Sequence, residues 1–304
     1  MSSENISQLP FVSIVVCTRN RQDMLRRSLK AINASDYPRT SFEIIVVDNG
    51  STDGTGDLKR EFPDVRWLVE NVVGKSNALN TGCKAARGSI LAFTDDDCIV
   101  DSEWLRNLVS AFFDEPSVIG VGGSCYVADS ETINDKLFSK KVQGLGIVDF
   151  GKKTKFVDEL IGGNFAFKRQ AFDVAKFDKR LGRRGTLSLG GEDSDFCHQL
   201  RSKGYQLLYT PHAFVYHMLP PSRRAPLNLI RGSMQGSISY VISILKWRCA
   251  SSRIPRIKAL RIILGRLLDD FLTFLKVRSF FACCELVNRI TAIVVCITFL
   301  DTIY

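Results

Sequence analysis

The sequence predicts an α/β fold: a mostly parallel, Rossmann-like sheet flanked by helices, followed by a basic, helical C-terminal tail. Three observations carry this. Short apolar runs rich in β-branched residues alternate with segments of helical period through the first hundred residues, the pattern of strands joined by crossover helices. The runs are apolar on both faces, as strands covered on both sides are. Charge then changes abruptly near Pro220 and Pro221. Residues 223–304 carry 13 of the 41 Lys+Arg but only 4 of the 32 Asp+Glu, so residues 1–222 hold 28 of each and the whole excess of +9 lies in the tail. The expected division is a polar lead over 1–10, an α/β domain over 11–222 and an amphipathic basic region over 223–304. A length of 304 residues with 45% apolar content is ample for such a core.

The elements follow in order. "FVSIVVCT" reads as a strand before the helix "RQDMLRRSLKAIN"; "FEIIVVD" reads as a second, before the helical "DGTGDLKREF". "VRWLVE" is a third strand, and "KSNALNTGCKAAR" a helix leading into the strand "SILAFT", which stops at three aspartates. Residues 101–113 form a helix capped by Asp101 or Ser102, then a strand, "VIGVGGSCYV". Residues 129–155 carry no assignable pattern. Order returns at "ELIGGNFAFKRQAFDVAKF" and continues through a Gly- and Arg-rich loop, "LGRRGTLSLGG", the helix "EDSDFCHQLRSKG" and the strand "YQLLYTPHAFVYHM". The nine cysteines are scattered without a C-x-x-C pair and read as reduced thiols.

In such sheets ligands bind beyond the carboxyl ends of the strands. There the sequence places Thr18, Arg19 and Asn20; Asp48 to Ser51; and Asp95, Asp96 and Asp97. Asp95 and Asp97, two apart at the end of a strand, leave an extended backbone on the same side. Paired carboxylate oxygens suit Mg²⁺ or Mn²⁺ bridging a diphosphate, and a solvated acidic turn is the alternative. "DNGSTDGT" is an Asx turn able to present Asp48 to a small polar partner. No Walker lysine or G-x-G-x-x-G follows the first strand, which argues against P-loop and dinucleotide-binding readings. Glu192, Asp193 and Asp195 open a helix whose dipole they favour, although the preceding loop has the composition of a flap. Its Arg183 or Arg184 would screen an anion, with a solvated loop as the other reading.

Taken in order, "VSIVVCTRNR", "EIIVVDNGSTDGT", "KSNALNTG", "LAFTDDDC", "GGNFAFKR", "FDKRLG", "GGEDSDFCHQLRSKGY" and "FVYH" resemble glycosyltransferase family 2, an inverting family of the GT-A fold, over about residues 11–218. The resemblance implies transfer of a sugar from a nucleotide-sugar donor to a hydroxyl of a glycan or lipid-linked acceptor, in cell-surface polysaccharide synthesis. It implies that Thr18 and Asp48 hold the nucleoside and that Lys75, Asn80, Asp95 and Asp96 lie along the donor. Asp95 and Asp97 form a D-x-D site for Mn²⁺ or Mg²⁺, with His217 similar to the histidine that completes the metal shell. Gly163, Asn164 and Glu192 line the acceptor side, and Asp193 is the catalytic base. A nucleotidyltransferase of similar fold and a catalytically silent glycan-binding relative are the alternatives. The first would want a glycine-rich loop where "CTRNR" stands.

In the tail, Leu260, Leu264, Leu267, Phe271 and Phe274 recur on one helical face among Arg256, Lys258, Arg261 and Arg266. That face packs on protein or lies on an anionic membrane surface. The apolar stretch over 279–300 is interrupted by Glu285 and Arg289, which favours an interfacial or packed segment over a span. No nucleic-acid-binding signature accompanies the charge. The polar first residues carry no export signal, so a cytoplasmic protein, peripheral at the inner face of the cell membrane, is expected.

Overall fold

The structure is a computed structural model, and it describes residues 9–128, 148–160, 162–184 and 187–218. All of these but 188–191 belong to one compact unit. The amphipathic face over 256–274, the apolar stretch over 279–300 and most of the unassigned 129–155 lie outside the described residues.

The first strands and helices stand where the apolar runs and helical periods put them: β1 (Val12–Thr18), α1 (Gln22–Asn33), β2 (Phe42–Asp48), β3 (Arg66–Val69), α3 (Lys75–Ala85) and β4 (Ile90–Asp95). Between β2 and β3 the helical segment is a 3₁₀ turn followed by α2 (Leu58–Glu61). Then come a short β5 (Cys98–Val100), α4 (Trp104–Asp114), β6 (Gly120–Val127), β7 (Lys155–Val157), β8 (Asn164–Lys168), α5 (Ala171–Val174), β9 (Gly182–Arg184), β10 (Leu187–Leu189), α6 (Glu192–Arg201) and β11 (Leu207–His217).

The main sheet has the order β3-β2-β1-β4-β8-β6-β11-β5, with β7 on β11 as well. It is mixed. β3, β2, β1 and β4 run parallel, as do β6 and β11, whereas β8 is antiparallel to both β4 and β6, and β5 and β7 are antiparallel to β11. Each β-branched run sends alternate residues to two cores. Val12, Ile14 and Val16 pack with Leu25, Leu29 and Ile32 of α1 and with Trp104, Leu105 and Leu108 of α4. Val15, Ile45 and Val47 face Ala78 and Leu79 of α3 and Phe196 and Leu200 of α6. The second core is aromatic near the site: Phe177 stacks on Phe196 with ring centroids 4.6 Å apart, which anchors the chain leading into β9.

Register sets the rim. Thr18 pairs with Asp48, and Cys17 with Asp95, so β1, β2 and β4 end side by side. β5 returns from the aspartates along β11, placing Cys98 opposite His217.

Candidate active site

Asp95 ends β4, and Asp96 and Asp97 form the turn into β5. Asp96 and Asp97 are buried, whereas the Asp95 side chain is partly open. Buried carboxylates need compensating charge. Here Arg21, just beyond β1, supplies it: a single guanidinium nitrogen, Nη1, donates to Asp96 Oδ1 and to Asp97 Oδ2, each at 2.7 Å. Thr18 Oγ1 donates to Asp96 Oδ2 at 2.8 Å. Burial pushes the Asp96 carboxyl up to about 6, against the pull of Arg21, with Asp97 adding to the rise. The sequence reading passed over Arg21. The signal was available, because three adjacent carboxylates need a cation and "RNR" directly follows β1, the strand beside β4.

Lys75 opens α3 and is the second cation. Its Nζ lies 2.8 Å from Asp95 Oδ1 and 3.4 Å from Glu192 Oε1, tying the strand-end aspartate to the start of α6. Burial alone would discharge the amine, but the pull of Asp95 and Glu192 outweighs it and raises its pKa above the ordinary lysine value. Conversely, burial would raise Asp95, and Lys75 holds it below the usual carboxylate range. Glu192 and Asp193 are both pushed up, chiefly by burial, with Lys75 opposing the rise.

Two glycines let these groups close up. A Cβ on Gly163, where φ is +91°, would stand 3.3 Å from Asp95 Oδ2, and one on Gly162 would stand 2.9 Å from Asp193 Oδ2. The backbone thus threads between the two carboxylates, and the Gly162 N–H donates to Asp193 Oδ2. Asp193 Oδ1 accepts from the Ser194 N–H at 2.9 Å. Each carboxylate oxygen keeps a second lone pair for an incoming proton.

His217, the last residue of β11, places Nε2 3.2 Å from Asp97 Oδ1. Its neighbour locks this register, since the Met218 N–H donates to the Asp97 carbonyl at 2.7 Å. Burial opposes the imidazolium, but the bond to Asp97 outweighs it and raises the His217 pKa. Among the described residues no three His, Cys, Asp or Glu side chains already form a metal shell. The donor types nonetheless fit a hard divalent ion: carboxylate oxygens of Asp95 and Asp97 with an imidazole nitrogen beside them. Arg21 and Lys75 now share those carboxylates.

Asp48 ends β2 beside Thr18, and its Oδ1 accepts from the Ser51 N–H at 2.9 Å, the expected Asx turn. Asn20, at φ 54°, ties that turn to the end of β1 through its Oδ1, which accepts from the Thr52 N–H at 2.7 Å. The resulting cavity, about 450 Å³, is lined by Thr18, Arg21, Lys75, Asp95 to Cys98, Gly162, Arg183 and His217 among others.

Two expected ligand contacts take other places. Asn80 is engaged with backbone: its Nδ2 donates to the Phe177 carbonyl at 2.8 Å and its Oδ1 accepts from the Phe177 N–H at 3.2 Å. Asn164 is buried at 2% exposure. Its Oδ1 accepts from Trp104 Nε1 at 2.8 Å, and its Nδ2 donates to the carbonyls of Ser124 and Ala213 at 2.7 and 2.9 Å. With two N–H donors and an acceptor on one short side chain, the amide pins β8 to α4, β6 and β11.

The chain matches the model of glycosyl transferase family 2 over residues 13–175, more than half its length. It is 26% identical over 219 residues to the glucosyl-dolichyl phosphate glucuronosyltransferase of Haloferax volcanii, spanning 68% of this chain and 69% of that one. It is 38% identical over 109 residues to glycosyltransferase AglE of the same organism, spanning 34% of this chain and 36% of the relative. With the poly-beta-1,6-N-acetyl-D-glucosamine synthase of Staphylococcus aureus it shares 25% identity over 223 residues, 71% of this chain and 52% of the synthase. The match thus spans between about a third and two thirds of these relatives' lengths. The fold is similar to that of the mannosyltransferase PcManGT from Pyrobaculum calidifontis, solved with GDP-Man and Mn²⁺, at a TM-score of 0.58 and 20% identity over 95% of this chain and 87% of that one. It is also similar to S. aureus TarS 1–349, solved with UDP-GlcNAc, at 0.53 and 18% over 77% and 66%. The fold is GT-A, and the chain belongs to glycosyl transferase family 2 and is a glycosyltransferase.

Proposed function

We propose that this glycosyltransferase is metal-dependent and inverting, moving a sugar from a nucleotide-sugar donor to a hydroxyl of a glycan or lipid-linked acceptor in cell-surface polysaccharide synthesis. One observation carries it: Asp95, which faces the donor cavity, and Asp193 flank the same two glycines, Gly162 and Gly163. A carboxylate able to bear a metal and a base gathered at one short backbone segment suit a donor and an acceptor hydroxyl that meet beside it.

In this reading Thr18 and Asp48 hold the nucleoside, and Asp95 and Asp97, with His217, would hold Mn²⁺ or Mg²⁺. The ion would supply positive charge for the departing diphosphate. Asp193 takes the proton of the acceptor hydroxyl as its oxygen attacks the anomeric carbon. The bond from that carbon to the diphosphate oxygen breaks on the opposite face and the diphosphate leaves with the electron pair, which inverts the centre. Glu192 borders the acceptor, and its bridge through Lys75 to Asp95 sets the spacing of the two halves. Intact Asp95, Asp97 and Asp193 speak against a silent relative.

The basic residues 223–304 would seat the protein on the cytoplasmic face of an anionic membrane, where a lipid-linked acceptor is presented. Among the described residues no helix is long and apolar enough to cross a membrane.

The test is Asp193→Asn, which keeps the side chain's size and removes its basicity. Nucleotide binding should stay near wild type while transfer drops by about 10² to 10⁴-fold, the worth of a positioned base. Transfer at the wild-type rate would remove Asp193 from the role.

A further inference from the structure

A diphosphate entering this cavity meets three aspartates, so it needs a cation that they have not already claimed. Arg21 is held by Asp96 and Asp97, and Lys75 by Asp95 and Glu192. Arg184 is turned aside: its guanidinium donates to the Lys179 carbonyl and its Nε lies against Gly74. Arg19 and Arg183 are both exposed, line the cavity and make no side-chain hydrogen bond or ion pair among the described residues; of the two, Arg183 is carried by the strand packed against Lys75. Its charge is one of those that lower the Asp95 pKa, so it acts on the carboxylate cluster without being bound to it.

The strand carrying Arg183 is fixed from α3. Ser76 Oγ donates to the Leu181 carbonyl at 2.8 Å, and Asn80 makes its two bonds to the Phe177 backbone. Ser76 and Asn80 stand four apart, on one helical face. Gly182, at φ +90°, brings the strand so near that an added Cβ would lie 3.0 Å from Ser76 Oγ. The same first turn of α3 therefore aims Lys75 at Asp95 and holds the Arg183 backbone over the cavity.

The geometry points to Arg183 as the residue that binds the donor's diphosphate, with Asn80 as its positioning residue. This rests on the nucleotide-sugar reading above. A guanidinium matches phosphate oxygens with two parallel N–H donors, which an ammonium cannot do. Asn80, expected from the family pattern to touch the donor, acts on it through the strand instead.

The experiment titrates UDP and GDP, each with Mn²⁺, into the full chain by calorimetry and uses whichever nucleotide binds. Arg183→Ala should weaken that nucleotide by about tenfold, the worth of one charge-assisted hydrogen bond. The variant's affinity should also depend less on NaCl, because a charge pair has been removed. Arg183→Lys should recover part of the loss. The melting temperature without ligand should stay at the wild-type value, since the side chain has no partner to lose. Asn80→Ala should weaken binding several-fold alone and add little on top of Arg183→Ala. Wild-type affinity in Arg183→Ala, or a tenfold loss in Arg19→Ala instead, overturns the assignment and leaves the nucleotide-sugar reading standing. If the folded wild type binds neither nucleotide, that reading falls and this one with it.

Discussion

Replacing Asn164 by alanine separates a structural pin from an acceptor contact. The amide makes three buried hydrogen bonds: Trp104 Nε1 donates to its Oδ1, and its Nδ2 donates to the Ser124 and Ala213 carbonyls. Alanine leaves the buried indole N–H unpaired, which costs about 1–3 kcal/mol, and forfeits two further bonds of about 1 kcal/mol each. The expected destabilisation is about 3–5 kcal/mol. With a urea slope of about 2–3 kcal/mol/M, the unfolding midpoint should fall by about 1–2 M. Tryptophan fluorescence is the assay, since Trp104 itself loses a partner. A midpoint within about 0.4 M of wild type, together with impaired transfer in the folded variant, would refute the structural role and return Asn164 to the acceptor side.

Two further outcomes follow from the site and the sheet. Asp193 works as a base only when charged, and burial raises its pKa. The acidic limb of the kcat profile should therefore lie above the ordinary aspartate value of about 3.9. Lys75 opposes that rise, so Lys75→Met should move the limb to higher pH, and a limb that stays or moves down would show that Asp193 does not set it. In the sheet, a Cβ on Gly123 would fall 1.7 Å from the Ala213 carbonyl oxygen. Backbone cannot yield by that much, so Gly123→Ala should prevent accumulation of folded protein, and a soluble variant with wild-type melting would contradict the β6–β11 packing.

The strands and helices with long apolar or periodic runs were legible because each is specified by its own residues. β1, β2 and β4 alternate between two cores, and α1 carries Leu25, Leu29 and Ile32 along one face. β5 was not legible: three residues carry no period, and its place comes from pairing with β11, more than a hundred residues away. The antiparallel direction of β8 is equally non-local. The helical segment before β3 lies where the sequence puts it, but its first half, Gly54–Asp57, winds as a 3₁₀ helix before α2, since glycines at 54 and 56 disfavour an α-helical turn. At the site, carboxylates at strand ends were visible since register alone brings them together. Asn80 and Asn164 were not separable from ligand contacts, because an amide that pins backbone and one that holds a substrate look alike in sequence. Arg21 escaped notice because its partners are 75 and 76 residues distant.

The most direct test is the melting temperature of the purified chain with UDP, GDP, dTDP or CDP, each with Mn²⁺ and with a chelator. Binding to the native state stabilises it by mass action, by about 2.7 kcal/mol at a hundredfold excess over Kd. A rise for one nucleoside diphosphate, abolished by the chelator and absent in Asp97→Ala, is the predicted result. An equal rise in the presence of the chelator, or none with any nucleotide in a folded sample, would contradict a metal-dependent nucleotide site at Asp95 and Asp97.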